Sequence, residues 1–368
     1  MRAKILYLTG LIFTAAFLAA AQLRGILSAF GPRINNHIAA AQGVIQGLPH
    51  WRVYQSRVLG PFFVKVISKL TGLTFGQAYP LAVFIMLFSF FLILILIARR
   101  LWNSTIAALA TAIAAWALNT MLMQELWLYP WDYIDLTVFT LLTWAILVSQ
   151  PFWVIGCILA FEVFNRGEVV IILSTWFIID SIFRLIPSEI KWPRLRVEIH
   201  RRQFFVALAL LVVGYTVIEV LRNVLLIREI RPEIFSDMKE GIHFVNLRLL
   251  RNLRELCLSF THPLQNFVFN VFNVFIFSIP LFALRAIFYK HIGVIRISLL
   301  YLVLWGFTVT FGLIYETRVW LSFVPFLVLA FPMVFSNILK NSGNMEKKQE
   351  KNRVVLTKDG KELILTQE

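Results

Sequence analysis

The sequence predicts an all-α polytopic membrane protein, a bundle of about ten transmembrane helices with a long outer first loop containing interfacial helices. Three observations carry that expectation. The 368 residues are 59% hydrophobic and only 15% charged, with 34 Phe and 11 Trp, whereas a soluble domain is near half apolar and a quarter charged. Apolar stretches close to the ~20 residues that cross a bilayer recur along the chain. Lys and Arg collect in alternate connections between them, as the positive-inside rule expects of cytoplasmic loops.

The first expected span is Ile5–Leu23, behind Arg2 and Lys4. Ala19-Ala20-Ala21 looks like a signal-peptide cleavage site, but the apolar run is long for one, which favours a retained anchor. The following spans are expected at Tyr79–Ile97, Ser104–Met123, Tyr133–Val148, Phe152–Phe164 and Val169–Phe183. The fifth is short, and Asn165-Arg166-Gly167-Glu168 after it is either a tight outer turn or an unwound point inside the bundle. Phe204–Leu226, Leu264–Ala286, Val294–Tyr315 and Val319–Ile338 complete the series. A polar cytoplasmic tail, 339–368, follows. In it Lys358-Asp359-Gly360 fits a turn between Val354-Val355-Leu356 and Leu363-Ile364-Leu365, as a small hairpin or a disordered segment.

With the amino terminus inside, the cytoplasmic positions receive Arg99-Arg100, the Lys191–Arg202 segment, Arg285, Lys290, Arg296 and the tail lysines. That sorting places both termini in the cytoplasm. The outer segments are then Gln22–Gly76, Gln124–Asp132, Asn165–Glu168, Arg228–His262 and Glu316–Arg318. Most side chains capable of chemistry fall in them.

The net charge of +15 would raise nucleic-acid binding in a soluble chain, but orientation accounts for most of it, so no nucleic-acid partner is expected. No short repeat or inverted duplication is evident. His37, His50, His243 and His262 lack metal-ligand spacing and there is no Gly-rich nucleotide loop, so neither metal nor cofactor is expected. Cys157 and Cys257 are read as free thiols. Asn103-Ser104-Thr105 is a formal glycosylation sequon, discounted because it falls on the inner side.

The first outer segment is the main anomaly. It carries Arg24, Arg33, Arg52, Arg57, Lys65 and Lys69, and no acid precedes Glu125. A loop this basic resists placement outside, so its cations should meet an anion. Trp51 to Pro61 is expected to start an interfacial helix, with Trp51 and Tyr54 at headgroup depth and Arg57 as the best phosphate ligand, since a guanidinium fork matches phosphate oxygens. Headgroup anchoring or salt bridges to the later acids would also explain it.

Glu125, Asp132 and Asp135 lie among Trp127, Tyr129, Trp131 and Tyr133. Carboxylates with rings suit sugar recognition, and a buried carboxylate suits a general base. Asp132 equally suits capping of its own helix. At the break, Asn165, Arg166 and Glu168 supply a donor, a cation and a base, although Glu162 and Arg166 are spaced for a helical salt bridge. Glu316 and Arg318 open the last span, either as substrate ligands or as a snorkelling pair. Asn266, Asn270 and Asn273 share a helical face and suit interhelical hydrogen bonding.

Together these features resemble the GT-C class of integral membrane glycosyltransferases. The resemblance rests on the many-span layout, Arg52-Val53-Tyr54-Gln55-Ser56-Arg57-Val58-Leu59, Asn165-Arg166-Gly167-Glu168 and Glu316-Thr317-Arg318-Val319-Trp320. It departs from the class in lacking an acid in the first outer loop. The resemblance implies sugar transfer from a polyprenyl-phosphate donor to a glycan or lipid-linked acceptor on the outer face of a bacterial plasma membrane. It implies Asp132 or Glu168 as the catalytic base, and Arg57, Arg166 and Arg318 at the donor phosphate. Glu125, Asp135, Asn165 and Glu316 would bind substrate or orient the arginines. The Arg228–Glu255 segment would cover the acceptor or equally form a solvated amphipathic helix. A polysaccharide polymerase or ligase acting on lipid pyrophosphates, a transporter or flippase, and a noncatalytic assembly subunit are the alternatives.

Overall fold

The computed structural model describes residues 2–49, 52–124, 129–186, 194–225, 247–259, 278–285, 292–312, 317–330, 332, 354–358 and 361–365. Helix α1 (Arg2–Phe30) lies against α4 (Phe75–Leu101), and α4 against α5 (Ser104–Gln124) and α6 (Pro130–Leu147). Between α1 and α4 the chain makes a 3-10 turn at Gly31–Arg33, helix α2 (Ile34–Gln46), a second 3-10 turn at Arg52–Ser56 and helix α3 (Leu59–Thr71). Gly47 and Gly72, at φ 69 and 72, end α2 and α3 in the left-handed conformation that glycine adopts without a Cβ clash. A capping box starts α4: Gln77 N donates to Thr74 Oγ1 and Thr74 N to Gln77 Oε1. The helix expected from Trp51 therefore begins later, at Leu59, where Pro61 sits in a first turn that needs no N–H from it.

Helix α7 (Phe152–Ile182) contains the break expected at Asn165–Glu168, because Arg166 leaves helical geometry at φ −144, ψ 75. The two arms fold back on one another. Phe152 packs its ring 5.5 Å from that of His200, and Ser181 O, from the opposite end of α7, accepts from His200 N. A straight helix of that length would separate these ends by about 40 Å. Gly214 of α8 (Arg201–Val224) is accordingly approached by both Val163 and Val170, one from each arm. The break is thus the tight turn of a helical hairpin. A two-stranded antiparallel ribbon, β1 (Phe183–Ile186) with β2 (Arg194–Val197), connects α7 to α8.

Helix α9 (Leu249–Ser259) is pinned by Asn252, whose amide donates to Val309 O and Gly312 O at the end of α11 (Ile292–Phe311). Residues 278–285 form α10, and a 3-10 segment, Thr317–Phe323, runs into α12 at 324–330. The expected span at Val319 thus opens as 3-10 rather than α-helix. Tyr301 OH is shared between Thr143 Oγ1 and Ser322 O, 3.0 Å from each, which ties α6, α11 and the 3-10 segment together. The tail forms the hairpin expected of it, β3 (Val354–Lys358) with β4 (Lys361–Leu365).

Ile5–Phe30, Phe75–Leu101, Arg201–Val224 and Ile292–Phe311 are each long and apolar enough to cross a membrane. Large side chains such as Phe13, 71% exposed, and Phe205, 64% exposed, lie on their outside, as a lipid-facing surface requires. The helix ends fall into two groups. At one, Arg99 stacks over Tyr7, Gly293 abuts Leu147, and Asp180 meets Gln203 and Arg296. The other holds α2, α3, the start of α6, the turn of α7 and the end of α8.

Candidate functional site

The second end gathers charged residues from four distant parts of the chain. Asp132 is the third residue of α6, and its carboxylate accepts from Tyr129 N at 2.8 Å, closing the helix start. This is the capping role its position suggested, reinforced by Pro130 at the first helical position. One turn on, Asp135 is buried. Its Oδ2 accepts from Arg166 Nη1 and its Oδ1 from the Asn165 amide, both at 2.6 Å.

Asn165 is the junction of the cluster. Its amide nitrogen also donates to Trp131 O at 3.0 Å and lies 3.4 Å from both oxygens of Glu162. An amide has only two N–H groups, so the contacts to Asp135 and Trp131 are the main bonds and those to Glu162 are weak. Arg166 does not pair with Glu162, as the spacing of four had suggested. Because Arg166 leaves helical geometry, that spacing no longer stacks the two side chains, and the guanidinium turns to α6 instead. Asp132 and Glu168 act on the same guanidinium at longer range.

Glu168, two residues past the turn, accepts through Oε1 from Arg222 Nη2 at the end of α8. Gly167 makes this approach possible, since a Cβ there would stand 2.5 Å from Ile218 Cγ1. Sequence reading passed over Arg222. Its signal was present, because an arginine within an apolar helix demands a partner, but that partner is far away in sequence.

Arg57 follows the Arg52–Ser56 turn and lies over two rings, 5.2 Å from the Tyr54 centroid and 5.5 Å from that of Trp131. Behind it runs an aromatic column. Tyr54 and Tyr129 flank Trp131 at 5.0 and 4.6 Å, and His37 and Phe30 continue the stack. His37 is buried, with Nδ1 2.9 Å from Arg33 O, so that nitrogen carries the proton. The column joins α1, α2, the Arg52–Ser56 turn and α6, and it holds the cation over Trp131, next in sequence to Asp132. Gly60 permits the contact, because a Cβ there would lie 2.8 Å from Trp131 N.

The structure therefore brings Arg57, Asp132, Asp135, Asn165, Arg166 and Glu168 to one end of the bundle. Lys65 and Lys69 are exposed on α3, away from this cluster. Glu125 and Glu316 lie outside the described residues, as do Asn266, Asn270 and Asn273, and for Arg318 only the backbone, in the 3-10 segment, is described. Among the described residues no group of His, Cys, Asp and Glu is arranged to hold a metal ion. No protein-family model, curated protein or solved structure matches this chain.

Proposed function

We propose that this protein is an integral membrane glycosyltransferase, moving a sugar from a polyprenyl-phosphate donor to a glycan or lipid-linked acceptor at the outer membrane face. One observation carries the reading. Arginines and carboxylates, Arg57 and Arg166 with Asp132 and Glu168, gather at a single end of an apolar helical bundle, with Arg57 over the rings of Tyr54 and Trp131. Charges are costly beside lipid unless they serve a site or one another.

In this reaction the acceptor hydroxyl oxygen bonds to the anomeric carbon while the bond from that carbon to the phosphate oxygen breaks. The electron pair leaves with the lipid phosphate, where Arg57, Arg166 and Arg318 stabilise it. The hydroxyl proton passes to Asp132 or Glu168. Asp135 and Asn165 orient Arg166, and Glu125 and Glu316 serve the sugar. The rings of Tyr54 and Trp131 suit the apolar face of a sugar and hold Arg57 in place. The bundle has about ten spans with both termini in the cytoplasm of a bacterial plasma membrane.

The test supplies purified protein with labelled polyprenyl-phosphate sugars and candidate acceptors. Transfer should occur and should fall by roughly a hundredfold or more in Arg57→Ala and Glu168→Gln, the scale of losing a charge stabiliser or a base. Transfer that survives both substitutions rules out this site. Donor binding without transfer to any acceptor replaces the enzyme with a transporter or an assembly subunit.

A further inference from the structure

Two buried guanidinium groups at the turn of α7 are only half used. Arg166 is held through Nη1 by Asp135, and its Nε is buried without a hydrogen-bond partner among the described residues. In a guanidinium, Nε and Nη2 form one edge, the fork that grips two oxygens of a phosphate or carboxylate side by side. That edge of Arg166 faces away from the bond to Asp135. Arg222, 8% exposed, differs in giving Nη2 to Glu168 Oε1, so that half of its Nε–Nη2 edge is taken by the carboxylate, while its Nε is buried and unpartnered among the described residues. Burying such a donor unsatisfied is costly, so an acceptor bound at these two atoms would recover what the fold leaves unmade.

Glu168 links the two cations, bonded to Arg222 and acting electrostatically on Arg166. We infer that Arg222 is a phosphate-binding residue, and that Arg166 and Arg222 together receive the phosphate of an isoprenoid lipid at the end of the α7 hairpin. The chemistry fits the ligand. The phosphodiester of a sugar-linked donor carries one negative charge, the monoester left after transfer carries more than one near neutrality, and carboxylate-anchored arginines present fixed N–H groups to either at little ordering cost. Beside its candidacy as the base, Glu168 also positions Arg222, since it holds that side chain by Nη2. This deepens the glycosyltransferase reading by assigning its donor phosphate a ligand from α8, and it rests on that reading for the lipid.

The experiment measures affinity of the full-length protein in detergent for farnesyl phosphate, with farnesol as the control for the apolar tail. Wild-type protein should prefer the phosphate. Arg222→Lys, which keeps the charge but loses the Nε donor and the planar guanidinium, should weaken farnesyl phosphate roughly tenfold and leave farnesol unchanged. Removing Arg222 alone would strand Glu168, so the second variant is the neutral pair Arg222→Gln/Glu168→Gln. It preserves side-chain size, and its folding is checked by its thermal transition. Loss of phosphate preference in that folded double variant supports the assignment. Full retention of the preference in both variants overturns it, and leaves the glycosyltransferase reading to stand on Arg57 and Arg166. A wild type that does not distinguish phosphate from alcohol overturns the assignment outright. Phosphate preference that depends on Arg222 but comes with no sugar transfer upholds the assignment and removes the transferase.

Discussion

Asp135 shows how far a single side chain can determine the site. It is buried and receives one bond from Arg166 and one from Asn165, so replacing it with alanine strands a guanidinium that is itself mostly buried. Breaking a buried pair from one side costs about 3–5 kcal/mol. Asp135→Ala should therefore lower the unfolding transition in detergent sharply, and Asp135→Asn/Arg166→Gln should recover most of the loss because neither partner then carries charge. Equal stability of Asp135→Ala and wild type would show that water or lipid headgroups already satisfy Arg166. Trp131 is a milder case. It is fully buried beneath Arg57, and a cation over an aromatic face is worth about 0.5–2 kcal/mol. Trp131→Phe keeps a ring and should retain most lipid-phosphate affinity, whereas Trp131→Leu should lose several-fold. Matching affinities for the two variants would mean that the ring face does not hold the cation. The acids and Arg57 could be singled out from sequence because they stand out in apolar or aromatic surroundings. Their partners could not. The spacing of four offered Arg166 a pair with Glu162 along one helix as the alternative to a site role, and only the backbone break, which composition marks but does not shape, turns it to Asp135.

At the level of elements, close helix contacts set where these side chains stand, and two glycines separate the consequences. A Cβ at Gly60 would meet the backbone of α6, 2.8 Å from Trp131 N, and backbone cannot rotate away. A Cβ at Gly167 would meet the side chain of Ile218, which can change rotamer. Overpacking costs about 1–3 kcal/mol. Gly60→Ala should fall at the upper end and displace Arg57 from its rings, with a loss of both thermal stability and lipid-phosphate affinity. Gly167→Ala should fall at the lower end and be restored by Ile218→Ala; failure of that rescue would mean the α7 turn itself is strained by the substitution. The break in α7 was readable because polar residues interrupt an apolar run, and a hairpin between Val354 and Leu365 was one of two readings because Lys358-Asp359-Gly360 separates two short apolar runs in the sequence. The 3-10 turn at Arg52–Ser56 was not. An aromatic and basic segment of that length has no period long enough to separate a single turn from a helix, and the actual start of α3 is set by Pro61 and by packing on α6.

Among the described residues the buried ion pairs sort to opposite ends of the helices. Asp180 takes both Nε and Nη2 of Arg296 and the Gln203 amide at one end, while Asp135, Arg166, Glu168 and Arg222 occupy the other. Cα to Cα, Gln203 and Arg222 lie about 30 Å apart along α8 and their partners Asp180 and Glu168 about 18 Å apart along the second arm of α7, so the two clusters are separated by more than half of the roughly 30 Å of a bilayer's hydrocarbon core. A soluble helical protein has no reason to clear its exposed mid-section of charge, yet here that section shows Val212 and Val213, 57% and 51% exposed, on α8. A membrane makes the separation necessary, because charge at either end reaches water and headgroups while the middle faces acyl chains. The consequence is a two-sided accessibility pattern. In a background with Cys157→Ala and Cys257→Ala, an impermeant maleimide added to sealed cells should label Lys69→Cys, exposed on α3, and should label Ile199→Cys, 60% exposed before α8, only after permeabilisation. Labelling of both without permeabilisation would place both clusters on one side and remove the membrane from between them. The reverse pattern would keep the bundle and invert it, so that the arginine cluster faced the cytoplasm. A donor presented outside would then have no access to Arg57, and the proposed transfer would lose its substrate by topology alone.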